Sequence, residues 1–447
     1  MGGDLTRGPV MPTMLRFALP MILGNLLQQC YNIADTLIVG KCLGADALAA
    51  VGSAFSLMTF LTSILLGLCL GSGAFFSIRF GEGDLAGLRE GIQASFLLIA
   101  LLTLLLTAGS YALLEGILTA LHVPGRVRPL MGAYLRVIFA GIAATFLYNY
   151  FASLLRALGN SLAPLAFLAV SAVLNIALDL WFVLGLGWGV SGAAWATVIA
   201  QYVSAGGMTL CALRLLPALR GSFRGRLRWH RLREIAAFSL LTCVQQSVMN
   251  LGILMVQGRV NSFGPAVMAA FAAAVKIDAF AYMPVQDFGS AFSTFVAQNY
   301  GAGDRERIRA GWRGALRTAL GFSLGVSCLV CLLARPLMRL FVDAGETEIL
   351  AEGVRYLRIE GAFYCGIGCL FLLYGLYRAL GRPGMSVVLT VLSLGTRVAL
   401  AYVLSAIPAV GVVGIWWSVP IGWALADAVG VGYYLLRRER LLAPPPS

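Results

Sequence analysis

An aspartate in the first long apolar stretch, Asp35, is the first residue of the chain that could do chemistry. A charged side chain in the middle of a membrane span costs about 2.5–3.5 kcal/mol, so such a residue is a candidate for function. Pro20 lies in the same stretch, and because proline removes a backbone donor we expect a bend there. A bend near a titratable acid would couple protonation to helix shape. The alternative is an inert, solvated aspartate at the end of the stretch.

Asn175 and Asp179 form a polar pair in the fifth apolar stretch. Their i, i+4 spacing places both side chains on one helix face, which lipid would turn toward the protein interior. Carboxylate and amide oxygens suit Na⁺, and the same carboxylate can hold a proton instead. Thr197 in the sixth stretch could add a hydroxyl. We predict one site for H⁺ or Na⁺ at Asp35, Asn175, Asp179 and Thr197; the alternative is a pair that only locks neighbouring helices.

The motifs of several enzyme and cofactor classes are missing from the sequence. Neither of the two lysines, Lys41 and Lys276, ends a Walker A loop. Cys328 and Cys331 form a lone CxxC, without the second pair or the histidines that a structural zinc site needs. No serine-nucleophile elbow or HExxH is present. We therefore expect a protein that is not an enzyme and that has no cofactor.

Long apolar stretches dominate the composition. Of the 447 residues, 59% are hydrophobic and only 12% charged, about half the charged fraction of a soluble domain. Stretches of about 20 apolar residues are long enough to cross a bilayer. We predict an all-α polytopic protein whose twelve transmembrane helices lie near 13–40, 49–79, 92–116, 129–155, 161–186, 190–214, 234–259, 265–298, 311–334, 350–378, 384–408 and 412–436.

The second half of the chain repeats the first. Residues 44–91 align without a gap with residues 264–311, and Arg156-Ala157-Leu158-Gly159 aligns with Arg378-Ala379-Leu380-Gly381. Six spans per half is an even number, so both halves enter the membrane from the same side and form parallel, pseudo-symmetric lobes. We predict an N-terminal lobe at 1–214, a basic linker at 215–233 and a C-terminal lobe at 234–447. A duplicated membrane bundle of this kind is typical of a secondary transporter.

The acidic set of the first half is not copied in the second half. The partners of Asp35, Asn175 and Asp179 in the repeat are Met255, Arg397 and Ala401. Other polar residues in or near spans are candidates for contact with a substrate, and hydrogen bonding between lobes is their alternative role. These candidates are Tyr31, Gln245, Gln246, Lys276, Asp278, Asp287 and Arg397. Asp427 could also pair with Arg397 across helices.

Most of the 33 basic residues lie in the terminal arms and the even-numbered loops. The positive-inside rule therefore predicts that both termini and the linker lie in the cytoplasm, in a bacterial-type plasma membrane. The net charge of +13 is explained by these loops, so we expect the lipid bilayer and a small-molecule substrate as partners and no nucleic acid. Because the duplication already supplies two lobes, we expect a monomer.

Taken together, these residues resemble the multidrug and toxic compound extrusion (MATE) family of the MOP superfamily, from Phe17 to about Arg437. The spacing of Asn175, Asp179 and Thr197 matches the cation site in the N-terminal lobe of that family. The other segments that carry the resemblance are Leu19-Pro20, Asp35-Thr36, Val39-Gly40, Gly44-Ala45, Ala49-Ala50-Val51-Gly52 and Gln298-Asn299-Tyr300-Gly301-Ala302-Gly303.

The resemblance implies two six-helix lobes around a V-shaped central cleft that opens alternately to either side. It also implies multidrug efflux, the export of organic, drug-like cations in exchange for H⁺ or Na⁺, with Asp35, Asn175, Asp179 and Thr197 as coupling residues and Pro20 as the bend. Arg397 departs from the acidic pattern of some relatives in the C-terminal lobe, which argues against a strictly cationic substrate. A flippase of lipid-linked saccharides and a membrane scaffold without transport are the alternatives.

Overall fold

The computed structural model describes residues 4–121, 123–216 and 228–443, and these residues form helices and short connections without a strand. The first half contains α1 (Val10–Leu43), α2 (Ala45–Glu82), α3 (Leu85–Ala112), α4 (Leu114–Ala120), α5 (Arg128–Ala140), α6 (Ile142–Ala157), α7 (Leu162–Asp179), a π-helical segment (Leu180–Gly185) and α8 (Gly189–Leu215). The second half contains α9 (Trp229–Asn261), α10 (Pro265–Gly301), α11 (Arg305–Met338), α12 (Thr347–Gly361), α13 (Tyr364–Ala379), α14 (Pro383–Ser405) and α15 (Val413–Leu441).

Length and hydropathy make these helices membrane spans. Over the described residues, ten helices are long and apolar enough to cross a bilayer, and two bent helix pairs raise the number to twelve when each pair counts as one span. Large apolar side chains are exposed along many of them, as is expected where the neighbour is lipid rather than water. The predicted all-α architecture with twelve spans is confirmed.

The fourth and tenth spans are bent, whereas the sequence predicted continuous helices at 129–155 and 350–378. Helices α5 and α6 meet at 42°, and α12 and α13 meet at 51°. Gly141 lies at the first bend, where a Cβ atom would come within 2.5 Å of the Gln201 side chain of α8. Glycine at this bend thus allows a close approach of another helix, which hydropathy does not record. Its recurrence at the same place in both halves is a structural trace of the duplication.

A second trace of the duplication is the tight connection that follows α2 and α10. Gly83 and Gly303 both have φ of +74°, a left-handed conformation in which glycine avoids the strain of a side chain. The side chains of Asp84 and Asp304 then cap the next helix by accepting a hydrogen bond from the backbone N–H three residues on. Identical residues thus build identical turns in the two halves.

Two compact units divide the chain, and their borders fall inside α1 and α9. Unit 1 comprises residues 1–4 and 19–243, and unit 2 comprises residues 5–18 and 244–447. These units follow packing, whereas the predicted boundaries at 214 and 234 follow the repeat, so the predicted division into domains stays a prediction. Within the predicted linker 215–233, residues 217–227 lie outside the described residues.

The start of α9, which opens the second half of the chain, lies in unit 1, and the start of α1, which opens the first half, lies in unit 2. In unit 1, the Arg231 side chain at the start of α9 bonds to Glu90 at 3.3 Å and to Glu234 at 2.9 Å. The Ser72 and Ser239 hydroxyls also join α2 to α9 at 2.8 Å. In unit 2, the guanidinium of Arg307 donates to the backbone carbonyls of Leu5, Arg7 and Gly8. These contacts anchor the first turns of α9 and the segment that leads into α1.

Candidate functional site

The candidate site of unit 1 is built by α1, α7 and α8. Asp35 lies on α1, and Asn175 and Asp179 lie one turn apart at the end of α7. Helix α7 packs against α8, which carries Thr197 opposite Asn175. The Asn175 Nδ2 donates to Thr197 Oγ1 at 3.3 Å, and Thr197 Oγ1 donates to the Ala193 carbonyl at 3.0 Å. The four predicted cation-site residues are therefore brought together in one place.

The carboxyl groups of Asp35 on α1 and Asp179 on α7 interact electrostatically. Asp179 is fully buried and Asn175 is 2% exposed. Four buried oxygens here have no hydrogen-bond partner: Asp35 Oδ1, Asn175 Oδ1 and both carboxylate oxygens of Asp179. Acceptors buried without a donor are costly, and two adjacent carboxylates in such surroundings do not both stay charged and unliganded. A proton or a cation would satisfy this group of oxygens.

The ligand set favours H⁺ or a hard monovalent cation. Among the described residues, no group of three or more His, Cys, Asp or Glu side chains gathers to hold a metal ion. Two carboxylates, an amide oxygen and a hydroxyl are instead oxygen ligands of the kind that Na⁺ and other hard cations accept. The same oxygens can take up a proton or bind Na⁺.

A π-helical segment begins directly after Asp179, at Leu180, and runs to Gly185. Such segments are rare and are frequent at functional sites, because the wider turn shifts the helical register and redirects side chains. The corresponding part of the second half, on α14, is ordinary α-helix up to Ser405. Among the described residues, the irregular backbone therefore occurs beside Asp179 and not at the corresponding position of the second half. Side-chain periodicity alone gave no signal for it.

Two tyrosines lie beside the acid pair. Tyr31 on α1 and Tyr134 on α5 are both within electrostatic range of Asp35 and Asp179. Tyr31 was predicted, as a substrate contact, whereas Tyr134 was missed. A signal for Tyr134 exists in the repeat, since Tyr134-Leu135-Arg136 recurs as Tyr356-Leu357-Arg358. The buried Tyr356 also lies beside an acid pair, in unit 2.

Unit 2 contains an acid pair of its own, which the sequence analysis did not predict. Asp278 on α10 and Glu360 at the end of α12 are 2% and 3% exposed and interact electrostatically. The Tyr364 hydroxyl of α13 donates to Asp278 Oδ1, and Arg397 on α14 acts on both acids. Glu360 was missed because it follows several charged residues between Glu348 and Arg358. A segment of that composition is expected at a helix end that lies in water.

Arg397 thus holds a fixed positive charge near two buried acids. In the repeat it takes the place of Asn175, so unit 2 has a permanent cation where unit 1 has an amide. The suggested ion pair between Asp427 and Arg397 is wrong, since the described residues show none between them. The Asp427 side chain interacts instead with the Cys369 thiol of α13.

The other predicted substrate contacts are dispersed. Lys276 is exposed on α10, with its ammonium 6.0 Å from the centre of the Phe341 ring. Gln245 and Asp287 are buried at 2% and 6% exposure, and Gln246 is half-buried. Only Asp278 and Arg397 of this set meet in the unit 2 cluster. A substrate-binding role for these residues stays a prediction, as does the bend at Pro20, which lies within the continuous helix α1.

Comparison with known proteins identifies the family. The MatE family model matches residues 20–181 and 239–403, which is most of the chain and includes both halves of the repeat. The chain belongs to the MATE family. The predicted resemblance is therefore confirmed, and this MATE protein is a multi-pass membrane transporter rather than an enzyme.

Relatives and solved structures agree with the assignment. This MATE protein is 30% identical to "Probable multidrug resistance protein YpnP" of Bacillus subtilis, over 87% of each chain. It is 25% identical to "FAD transporter" of Shewanella oneidensis, over 97% of this chain and 96% of that one. Its fold matches a MOP superfamily transporter from Pyrococcus furiosus with a TM-score of 0.90, at 24% identity and 98% coverage of both chains.

Proposed function

We propose that this MATE protein is a secondary active exporter that moves organic, drug-like compounds out of the cell in exchange for H⁺ or Na⁺. The observation that carries the proposal is the interaction of two acids, Asp35 and Asp179, in a group of buried oxygens that have no donor. Such a group stays in the membrane interior at a high cost unless it binds a cation. Apart from the cargo and the coupling ion, the proposed cycle uses no cofactor.

The proposed mechanism uses cation binding to change the shape of unit 1. With no cation bound, the repulsion between Asp35 and Asp179 favours a conformation that separates α1 from α7. A proton or Na⁺ neutralises the pair and allows close contact, and Pro20 lets α1 bend between the two conformations. Coupling requires that the cation and the substrate prefer different conformations, because a ligand shifts an equilibrium only by its difference in affinity.

The proposed cargo is an organic cation. The relative YpnP is named for multidrug resistance, and its similarity to this chain supports a drug-like cargo. Anionic cargo is a second candidate, favoured by the fixed charge of Arg397 and by the relative that is named for FAD. A lipid-linked saccharide is a third cargo, which the flippase alternative would carry.

The proposed setting is a bacterial cytoplasmic membrane, with the protein a monomer and both termini in the cytoplasm. The distribution of arginines between the two sides supports this orientation. Labelling of single cysteines placed at the two ends of the described chain, before and after permeabilisation, would test it.

Transport into proteoliposomes tests the proposed function. A fluorescent organic cation, a fluorescent organic anion and a labelled lipid would each be followed under an imposed pH gradient and, separately, an imposed Na⁺ gradient. Movement of a soluble dye that depends on one gradient supports the exporter. Movement of labelled lipid alone would support the flippase, and no movement of any cargo would support the scaffold without transport.

A further inference from the structure

Four arginines form a basic patch at one end of unit 2: Arg309, Arg313 and Arg317 on α11, and Arg438 on α15. The three arginines of α11 follow an i, i+4 spacing and so share one face of the helix. Arg309 Nη2 lies 3.0 Å from Glu439 Oε1, which joins this face to the end of α15. Tyr434 of α15 packs on Trp312 at 5.4 Å between ring centroids and interacts electrostatically with Arg309, Arg313 and Arg438.

The patch has more positive charge than its protein surroundings neutralise. Arg309 contacts Glu306 and Glu439 at 3.0 Å each, and Arg438 shares Glu439 at 3.6 Å. Arg313 and Arg317 are exposed, and no carboxylate of the described residues lies within ion-pair distance of either. Like charges at i, i+4 repel. A stripe of this kind therefore favours an anionic partner from outside the chain.

The position of the stripe on α11 indicates where that partner lies. No charged residue occurs between Arg317 and Arg335, so the hydrocarbon must begin close to Arg317. The exposed face continues beyond Arg317 with Leu324 at 54% and Leu332 at 80% exposure. The arginine stripe and the lipid-facing apolar stripe are thus one continuous face. An anion bound to it lies at the level of the lipid headgroups.

The first half of the chain does not repeat this arrangement. At the offset that aligns the two halves, Arg309 corresponds to Arg89, but Arg313 and Arg317 correspond to Gln93 and Leu97. The positive-inside rule applies equally to both halves of the chain. It therefore does not explain why the arginine stripe occurs on α11 and not on the corresponding helix of the first half. The difference indicates a local function of α11.

We propose that the basic patch binds the headgroup of an anionic glycerophospholipid, such as phosphatidylglycerol, in the leaflet that the C-terminal end of α15 faces. Arg313 and Arg317 provide the charge for the phosphate, and Arg309 and Arg438, held by Glu439, form the inner edge. The acyl chains lie along the apolar continuation of the same face of α11. Basic pockets between transmembrane helices are known sites for anionic lipid headgroups.

Native mass spectrometry of the whole protein in detergent tests the proposal, with dioleoyl phosphatidylglycerol and dioleoyl phosphatidylcholine as probes. The test variant is Arg313→Gln with Arg317→Leu, which installs the residues of the first half. At about fivefold in affinity per exposed arginine, we expect this double variant to bind phosphatidylglycerol about 25-fold more weakly. Binding of phosphatidylcholine should not change.

The matched control removes two arginines elsewhere, as Arg126→Gln with Arg136→Leu, whose side chains are 86% and 64% exposed. It should bind phosphatidylglycerol like wild type. A second variant, Arg313→Lys with Arg317→Lys, keeps the charge and should retain most of the binding, which separates lost attraction from misfolding. Equal binding of both lipids by wild type, unchanged binding in the test variant, or full displacement of phosphatidylglycerol by millimolar glycerol 3-phosphate would each overturn the proposal.

Discussion

Replacing Asp35 with asparagine should abolish uphill accumulation of substrate while leaving downhill equilibration in place. The substitution keeps the size of the side chain but removes one of the two carboxylates that approach each other in unit 1. The remaining carboxylate of Asp179 then has a neutral amide beside it rather than a second titratable group. The site loses the repulsion that cation binding relieves, so the two conformations no longer differ in cation affinity.

The concentration ratio that wild type can reach follows from the number of protons exchanged for each substrate molecule. In the proposed cycle the interacting pair Asp35 and Asp179 takes up one proton, whereas the acids of unit 2 have the positive charge of Arg397 nearby. One H⁺ exchanged per cycle across a gradient of one pH unit provides about 1.4 kcal/mol, which supports about a tenfold concentration ratio. Wild type should therefore accumulate substrate up to about tenfold, and Asp35→Asn should stay near unity.

The assay uses proteoliposomes in which potassium and valinomycin hold the membrane potential at zero. The steady-state ratio of a fluorescent substrate is measured at pH differences of one unit and, separately, at tenfold Na⁺ gradients. Asp46→Asn is the matched control, because Asp46 is an exposed carboxylate paired with Arg126 at 3.1 Å. A ratio near one hundred at one pH unit in wild type, or a tenfold ratio in Asp35→Asn, would refute the reasoning.

Three further outcomes are expected from substitutions in the helices. Thr197→Val should lower the free energy of unfolding by about 1–3 kcal/mol, because the buried amide of Asn175 loses its hydrogen-bond acceptor. Thr197→Ser keeps the hydroxyl and should leave the free energy of unfolding unchanged. Equal melting temperatures of the two variants would contradict this. Arg397→Gln should destabilise unit 2 by about 2–4 kcal/mol, because the buried acids Asp278 and Glu360 lose a nearby positive charge; an unchanged melting temperature would contradict it. Gly71→Ala should reduce yield and melting temperature, because its Cβ would lie 2.3 Å from a backbone carbonyl of α9, whereas Gly52→Ala, which has open space, should not.

The apolar stretches predicted the fold well because bilayer thickness sets both the length and the composition of a span. The charges at 79–90 show the limit of this reasoning. From the sequence, these charges are expected on a solvated loop between two spans. In the structure, Arg79 Nη2 instead forms an ion pair with Glu234 Oε1 of α9 at 2.6 Å, although 155 residues separate the two in the sequence. Contacts of this kind, like the bend at Gly141, arise from tertiary packing and leave no periodic pattern in the sequence.

The buried acids of unit 1 were predictable as candidates, because a charged residue inside a membrane span is costly and is seldom there without a function. Asn175 and Asp179 share one face of α7 as their spacing indicated, whereas sequence spacing says nothing about the packing of Asp35 and Thr197 beside them. The role of these four residues in coupling stays a prediction. Glu360 was not predictable in the same way. Its position beyond a charged run gave it the appearance of a solvated residue, and only the bent packing of α12 against α13 buries it beside Asp278.

Helices α1 and α9 each divide between the two compact units. Helix α1 begins in unit 2 and continues in unit 1, whereas α9 begins in unit 1 and continues in unit 2. The chain therefore has the connectivity of a swapped dimer. If a six-helix ancestor exchanged its N-terminal segment with an identical copy, a fusion of the two copies would have this arrangement. Each half then depends on the other for a helix segment. The two halves expressed as separate chains should consequently assemble only when they are made together, and neither should accumulate alone.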